Sequence, residues 1–513
     1  MGFTFGSGFP LPLSLGQAVG VGLLFFIALT YLVSKSRRNR LPPGPRAWPV
    51  IGSLPLLGTM PHSSLYQLSK KYGPLMYLKL GTTDTVVASS PKVVEAFLKT
   101  NDLNFSNRPG NAGATYIAYD SNDLVWAPYG NRWRMLRKVC NIHLFAGKAL
   151  EDMQPVRQLE LSLLVKSLLA HGQRGESANL GELMNVCTAN VLGQVMFSKR
   201  VFESQGAKAS EFREMVIELM VLAGVFNIGD FVPSLAWLDL QGVQAKMKKL
   251  HDRFDNFFSK IIAEHQAESA NKSKKDFLSA LLALRNNADG EGGRLTDTDM
   301  KALLLDLFTA GTDTSSSTVE WAMSELIRHP HIMEKCQREL ESVVGRQRKL
   351  KEADLEKLSY LQAVVKETFR LHPSTPLLLP RMAAEACTIE GYHIPKNARL
   401  MVNAWGIQRD PAVWTRPLEF DPERFVGSDV DVRGTDFEVI PFGAGRRICA
   451  GMTMGIRMVQ LMLATLIHSF DWSLPAGQTP EKLDMAEAFG LTLQKAQPLL
   501  ALPAPRLPLA LYD

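Results

Sequence analysis

Near the C-terminus, the run Phe442-Gly443-Ala444-Gly445-Arg446-Arg447-Ile448-Cys449-Ala450-Gly451 feeds straight into an apolar helical stretch, and no other segment constrains the fold as strongly. Its glycines let backbone N–H groups come close to a sulfur, Arg446 and Arg447 add positive potential, and the dipole of the following helix points at Cys449. All three effects favour a thiolate over a thiol. A lone cysteine is most often just a small buried apolar residue. The FxxGxRxCxG spacing argues instead for a metal ligand, so the chain must fold in a way that brings a large metal-bearing group to this one sulfur.

No Gly/Ser-rich or Pro-rich linker divides the body of the 513 residues, so one large core is expected, and 46% apolar residues suffice to fill it. Lys plus Arg outnumber Asp plus Glu by 57 to 51. Part of that excess is local, with Lys35, Arg37, Arg38 and Arg40 in one short segment, which argues for a membrane face and against nucleic acid. The five cysteines, Cys140, Cys187, Cys336, Cys387 and Cys449, are odd in number and include no CxxC pair. Neither a disulfide framework nor a zinc site fits them, and a reducing compartment is the simpler inference.

Leu15 to Val33 is an uncharged apolar run that as a helix would extend about 28 Å, enough to cross a bilayer. No charge precedes Lys35, whereas a cleaved signal would carry its basic residues ahead of the apolar run. Residues 1–34 therefore read as an uncleaved, single-pass membrane anchor, with the basic cluster holding the remainder in the cytosol. The basic and Pro-rich stretch 35–50, containing Leu41-Pro42-Pro43-Gly44-Pro45, reads as a stiff hinge. Residues 51–513 form the catalytic body.

That body reads as mainly α with minor β. The β-branched run Thr83 to Val87 marks a strand, and helical periodicity dominates from about Pro91 to Leu371. Ala267 to Lys275 and Asn286 to Gly293 read as surface loops, and Thr296 with Asp299 three residues on reads as a helix N-cap. Met215 to Phe231, followed by Pro233 and Trp237, is expected to be either core or a flap at the bilayer guarding substrate entry.

Asp297 to Arg328 is expected to be one helix ended by His329-Pro330. Its middle, Gly311 to Thr318 (GTDTSSST), contains no strong helix former, and such a failure of local propensity inside a well-specified element marks a functional site. Gly311 would let a flat cofactor approach the backbone. Thr314 can donate its hydroxyl to the Ala310 carbonyl or to a ligand, and Asp313 beside it can feed protons. Glu367 and Arg370, three apart on one helix face, together with Arg424 of Pro422-Glu423-Arg424-Phe425, are expected to form a buried network that braces the cysteine loop. Trp133 and Arg137, four apart, can point an indole N–H and a guanidinium at one carboxylate, with Arg381 and Arg447 adding charge. Haem propionates are the candidate carboxylates, and the chain reads as a haem-thiolate, oxygen-activating enzyme with Cys449 on the iron.

In order along the chain, the Pro-rich hinge, WxxxR at Trp133, AGTDTS at Ala310 to Ser315, ExxR at Glu367, PERF at Pro422 to Phe425 and FGAGRRICAG at Phe442 to Gly451 resemble the cytochrome P450 monooxygenases. The resemblance spans nearly the whole chain. It implies a single large haem domain of predominantly helical, triangular fold, with haem b between the helix carrying Thr314 and the loop carrying Cys449, and O2 as co-substrate. It also implies electrons from NADPH through a cytochrome P450 reductase docking on a basic face, and residence at the endoplasmic reticulum membrane. YGNRWRMLRK (129–138), VLAGVFNIGDFVPSLAWLDLQG (221–242) and PEKLDMAEAFGLTLQKA (480–496) further resemble the plant flavonoid B-ring hydroxylases, which act on flavanones, dihydroflavonols and flavones. Thr492 matches the residue type common in the 3'-hydroxylases. The alternatives are 3',5'-hydroxylation, or hydroxylation of another plant phenylpropanoid or terpenoid. The substrate pocket is expected to be lined from Ala112 to Ile117, including Ala114, Thr115 and Ile117, and by Leu305, Thr309, Ala310, Leu377, Leu378 and Thr492, mostly apolar or hydroxylic as a polyphenol requires. Two rivals are a haem-thiolate isomerase or dehydratase needing no reductase and a non-catalytic haem sensor or membrane scaffold.

Overall fold

The computed structural model describes residues 41–202, 207–269, 276–286 and 294–512. The expected anchor, the basic half of the hinge and most of the two expected hydrophilic loops lie outside these residues. Among the described residues no helix is long and apolar enough to cross a membrane. Helices carry most of the chain between Pro91 and Leu371, as the periodicity indicates, and a further long helix, Met452–Ser469, succeeds the cysteine loop. One loop expectation shifts: the helix Val243–Ser269 runs through Ala267 before the described chain stops.

The β-structure is a small four-stranded sheet ordered Leu75–Leu80, Thr83–Ala88, Arg399–Val402, Arg381–Met382, with shorter pairings elsewhere. Leu75–Leu80 and Thr83–Ala88 form an antiparallel hairpin in which Leu80 faces Thr83. Gly81, in its tight turn, has φ +57°, and a Cβ there would lie 2.3 Å from the Phe231 carbonyl oxygen. Only glycine lets that backbone press so close, and Thr82 N–H donates to the same carbonyl at 2.8 Å. The C-terminal half of the hinge packs against the same sheet: Tyr77 N–H donates to Pro43 O at 2.8 Å, and Gly44 lies directly on the Tyr77 carbonyl.

The long helix Asp297–Arg328 runs through the main core. Its start is fixed by the expected capping box, in which Thr296 Oγ1 accepts from Asp299 N–H and the Asp299 side chain accepts from Thr296 N–H. Its end falls at His329, because Pro330 cannot continue the ladder and opens the next helix instead. The polar middle does not break it. Thr309, Thr312, Thr314, Ser316 and Thr318 each donate a hydroxyl to the carbonyl four residues back, at 2.7 to 3.0 Å, so side-chain donors are satisfied within the helix. The helix packs broadly against Leu180–Phe197. Gly311 serves that contact, since a Cβ there would lie 2.9 Å from Leu192 Cδ1.

Of the two readings for Met215 to Phe231, core holds for the helix Ala207–Gly224, where Met215, Val216, Leu219, Met220 and Leu222 are buried. The chain beyond Pro233 turns outward. Trp237 is 80% exposed, and Leu238 and Leu240 are exposed beside it.

Candidate active site

A cavity of about 390 Å³ opens between the long helix and the cysteine loop. Cys449, Thr314, Trp133, Arg137, Arg381 and Arg447 all line it, and so do Ile117, Leu305, Thr309, Ala310, Leu378 and Thr492. Ala112, Ala114, Thr115 and Leu377 are not among its lining residues. Gly113–Ile117 forms a single π-helical turn, which shifts the side-chain register, so Ala114 is buried against protein and Thr115 points to solvent while Gly113 and Ile117 face the cavity. Leu377 is buried in the separate core cluster under the β-sheet.

Cys449 is held by its own loop and by a helix from elsewhere in the chain. Its N–H donates to Phe442 O at 3.0 Å, and Arg137 from the helix Asn131–Cys140 donates to Ile448 O at 2.8 Å. The sulfur is open to the cavity while protein closes around it. Burial pushes its pKa up, against smaller opposing effects of the Gly451 N–H and the Arg137 charge. The expectation that Arg446 and Arg447 would ionise it is corrected: Arg446 pairs with Asp102 at 2.8 Å and bonds Tyr129, and Arg447 turns to other carbonyls. A bound cation such as iron would favour the thiolate here.

The cavity lining around Trp133 is cationic. Arg447 donates to Ser106 O at 2.7 Å and to Ala127 O, and its Cζ lies 4.7 Å above the Trp133 ring. Trp133 Nε1 donates to Leu124 O at 3.1 Å. Arg381 pairs with Asp102 at 3.0 Å and donates to Ala444 O at 2.6 Å. Arg108, which sequence reasoning missed, lines the same cavity and donates to Leu379 O, Pro380 O and Val125 O. Burial and mutual repulsion depress these cations, Arg447 to about 10. Among the described residues no carboxylate lies within ion-pair distance of Arg108, Arg137 or Arg447, although each faces the cavity. A ligand carrying two carboxylates would answer that excess charge, and a flat one could reach Cys449. The residues present fit haem.

Two carboxyls also missed from sequence, Asp123 and Asp306, line the cavity close enough for their charges to oppose each other. Asp306 accepts from Leu124 and Val125 N–H at 2.8 and 3.1 Å, and Asp123 accepts from Trp126 and Ala127 N–H at 2.8 and 3.1 Å. Burial pushes both upward, Asp306 the more strongly. The pair ties the long helix to the loop whose carbonyls hold Trp133 and Arg447.

Thr314 donates to Ala310 O at 2.8 Å, as its spacing indicates. Asp313 is 4% exposed and does not line the cavity. Its carboxylate accepts from Thr492 Oγ1 at 2.5 Å and from Gln494 Nε2 at 2.6 Å.

Glu367 and Arg370 meet through two hydrogen bonds, at 2.6 and 2.8 Å, with both side chains fully buried, and Arg424 Nε lies 3.4 Å from the same glutamate. Arg370 also donates to Gln408 O, Pro417 O and Glu419 O. Gln408, a further residue that sequence reasoning missed, passes this to the cysteine loop. Its Oε1 accepts from Ile440 N–H at 3.1 Å, and Phe442 packs edge-on against Phe369 with ring centroids 5.1 Å apart.

Residues 42–500 match the cytochrome P450 family model. A flavonoid 3'-monooxygenase of Crocosmia x crocosmiiflora is 59% identical over 94% of this chain and 96% of its own length. A flavonoid 3',5'-hydroxylase of Eustoma exaltatum subsp. russellianum is 53% identical over 97% of this chain and 100% of its own. A zebra fish cytochrome P450 solved with abiraterone superposes with a TM-score of 0.72 at 26% identity, covering 87% of this chain and 100% of that one. The six ordered motifs, the helical fold and the cysteine-floored cavity lead to the same place as these likenesses: the chain belongs to the cytochrome P450 family.

Proposed function

We propose that this protein is a haem-thiolate monooxygenase that hydroxylates the 3' carbon of the flavonoid B-ring, acting on flavanones, dihydroflavonols and flavones. The observation that carries the reading is the 59% identity, across nearly the full length of both chains, to a flavonoid 3'-monooxygenase. The cavity supports it, because Ile117, Leu305 and Leu378 offer apolar contact to an aromatic ring while Thr309 and Thr492 offer hydroxyls to a polyphenol. Double hydroxylation is the second reading, favoured by the 53% identity to a 3',5'-hydroxylase.

Haem b, held by Cys449, supplies activation of O2 with electrons drawn from NADPH through a reductase. The protein's own residues do the rest. Arg108, Arg137, Arg381 and Arg447 would hold the propionates, with the Trp133 ring packed against Arg447 to fix its place. Thr314 presents a hydroxyl to the cavity and Asp313, next to it in the chain, is the acid of the relay. The buried Glu367, Arg370 and Arg424 network holds the loop that aims Cys449, and the apolar wall keeps bulk water from the reacting carbon.

Exposed Arg134, Lys138 and Arg446 surround the approach to the cysteine loop and suit an acidic partner such as the reductase. Exposed Trp48 and Val50 lie near exposed Trp237 and Leu240, the two segments being linked through Gly52 with Leu80 and through Thr82 with Phe231, and this corner suits the endoplasmic reticulum bilayer into which residues 1–34 would anchor. Turnover of naringenin by the protein with reductase and NADPH, with analysis of the products, tests the assignment: a 3'-hydroxylated product is expected, and a lack of B-ring hydroxylation across a flavonoid panel would overturn it. Thr314→Ala is expected to keep haem but divert electrons to hydrogen peroxide, and unchanged coupling would remove Thr314 from the relay.

A further inference from the structure

The Asp313 carboxylate is gripped at both oxygens from one short segment far along the chain. Thr492 Oγ1 donates to Oδ2 at 2.5 Å and Gln494 Nε2 donates to Oδ1 at 2.6 Å. The segment is itself pinned. Leu493 O accepts from Trp321 Nε1 at 3.3 Å and from Ser317 Oγ at 3.4 Å, and Leu493 N–H donates to Ser374 O at 2.7 Å. Gln494 pairs with Ala488 in a two-stranded ribbon. The grip is therefore built into the fold and is no loose surface contact.

Its position relative to the cavity gives it meaning. Thr314 and Thr492 line the cavity, while Asp313 does not. Thr492 thus stands between the cavity and the acid. A threonine hydroxyl has one proton to give and two lone pairs to receive. Here the proton is committed to Asp313, so a cavity ligand can engage Thr492 only by donating to it, as a phenolic hydroxyl does. Gln494 has no such double duty, since it touches the acid and lies outside the cavity lining.

We infer that Gln494 and Thr492 are positioning residues for Asp313, and that Thr492 does this with the same hydroxyl that receives a phenolic O–H of the substrate. Occupancy of the cavity by a phenol is thereby linked to the orientation of the acid. Gln494 sets that orientation regardless of substrate. The phenolic half of this inference rests on the flavonoid reading above, and the Gln494 half does not. The physical consequence is directional: both hydrogen bonds favour the carboxylate form of a group that burial pushes the other way, so losing either raises its titration further.

The test uses the full-length haem-loaded protein in lipid nanodiscs, with Gln494→Leu, Thr492→Val and Thr492→Ser, and Asp313→Asn as spectral blank. Infrared titration of the buried carboxyl, read with no flavonoid present, is expected to move upward in pH for Gln494→Leu and Thr492→Val and to stay in place for Thr492→Ser. With reductase and substrate, Gln494→Leu is expected to raise the share of electrons lost to hydrogen peroxide about fivefold, the factor typical of one lost hydrogen bond, while flavonoid affinity stays within about twofold. Thr492→Val is expected to weaken phenolic ligands but not their O-methylated forms. An unmoved titration in Gln494→Leu, or a loss of affinity there with coupling intact, overturns the positioning role. Equal loss of phenol and methyl ether in Thr492→Val overturns the substrate link. Because the infrared arm needs no substrate, failure of flavonoid turnover alone leaves the Gln494 result standing.

Discussion

Two groups of buried guanidiniums in this protein differ in how their charge is answered. Around Glu367 the chain supplies everything: a fully buried carboxylate takes two hydrogen bonds from Arg370, Arg424 stands 3.4 Å away, and three carbonyls take the remaining Arg370 donors. Around Trp133, by contrast, Arg108, Arg137 and Arg447 have their hydrogen bonds taken by carbonyls and no carboxylate within ion-pair distance among the described residues, with their faces turned to a cavity. A buried charge with its partner in place is a finished structural element, whereas buried like charges without one are tolerable only if something else brings the anions. The first cluster shapes the cysteine loop. The second is incomplete until a dicarboxylate ligand arrives.

Substitution decides whether the contrast holds. Glu367→Ala leaves Arg370 buried and unpaired, which is expected to cost about 3–5 kcal/mol and to lower the thermal midpoint of cofactor-free and haem-loaded protein alike. Arg447→Met removes a cation that forms no ion pair. It is expected to leave the cofactor-free midpoint nearly unchanged while haem dissociates about tenfold faster, measured by transfer to a haem-scavenging apoprotein. If Arg447→Met unfolds the cofactor-free protein as Glu367→Ala does, the two clusters are alike and the distinction fails.

A smaller effect refines the description of the second cluster. Asp123 and Asp306 are close enough to oppose each other's ionisation, and Arg108, Arg447 and Cys140 are charged or titratable neighbours of the pair. Burial raises both carboxyls, so the folded state keeps a proton that the unfolded chain releases near the ordinary carboxyl range of about 4. The pair's contribution to stability is accordingly whole below that range and is lost as pH rises through the raised folded titration. Asp306→Asn keeps a donor toward Asp123 and abolishes this titration. Thermal midpoints measured from about pH 5 to about pH 8 should fall less steeply in Asp306→Asn than in the parent, and parallel curves would show that the titration of the pair is not raised by folding. The smallest expected change is that of Thr492→Ser, which keeps the hydroxyl on Asp313 and enlarges the cavity by a methyl. A modest rise in doubly hydroxylated product at unchanged coupling is expected, and product analysis decides it.

What could be read in advance was local. The Thr296 capping box, the Pro330 stop and the Thr314 bond to Ala310 each depend on residues three or four apart, so spacing alone reveals them. Glu367 with Arg370 is equally local, and only Arg424 had to be supplied from a second motif. The errors came where distance along the chain hides the partner. The cation beside Cys449 is Arg137, from a helix far upstream, and the nearer-numbered Arg446 and Arg447 turn elsewhere. Asp123 with Asp306, and Gln494 with Asp313, join segments so far apart in the chain that spacing cannot reveal the pairing. Ala114 and Thr115 were misplaced because the π-helical turn at Gly113–Ile117 adds a residue to the turn and rotates its side chains away from α-helical register. An unpaired polar residue in an otherwise apolar stretch, such as Asp306 in LLLDLF, was the one available signal for the acid pair.

The proposed chemistry depends on a bond between Cys449 and iron. The reduced, carbon-monoxide-treated protein should show the red-shifted Soret band of thiolate ligation, and Cys449→Ser should abolish it even if haem is retained. An unshifted band in the parent protein, or a band that survives the serine, would contradict ligation by this sulfur and with it the haem-thiolate assignment.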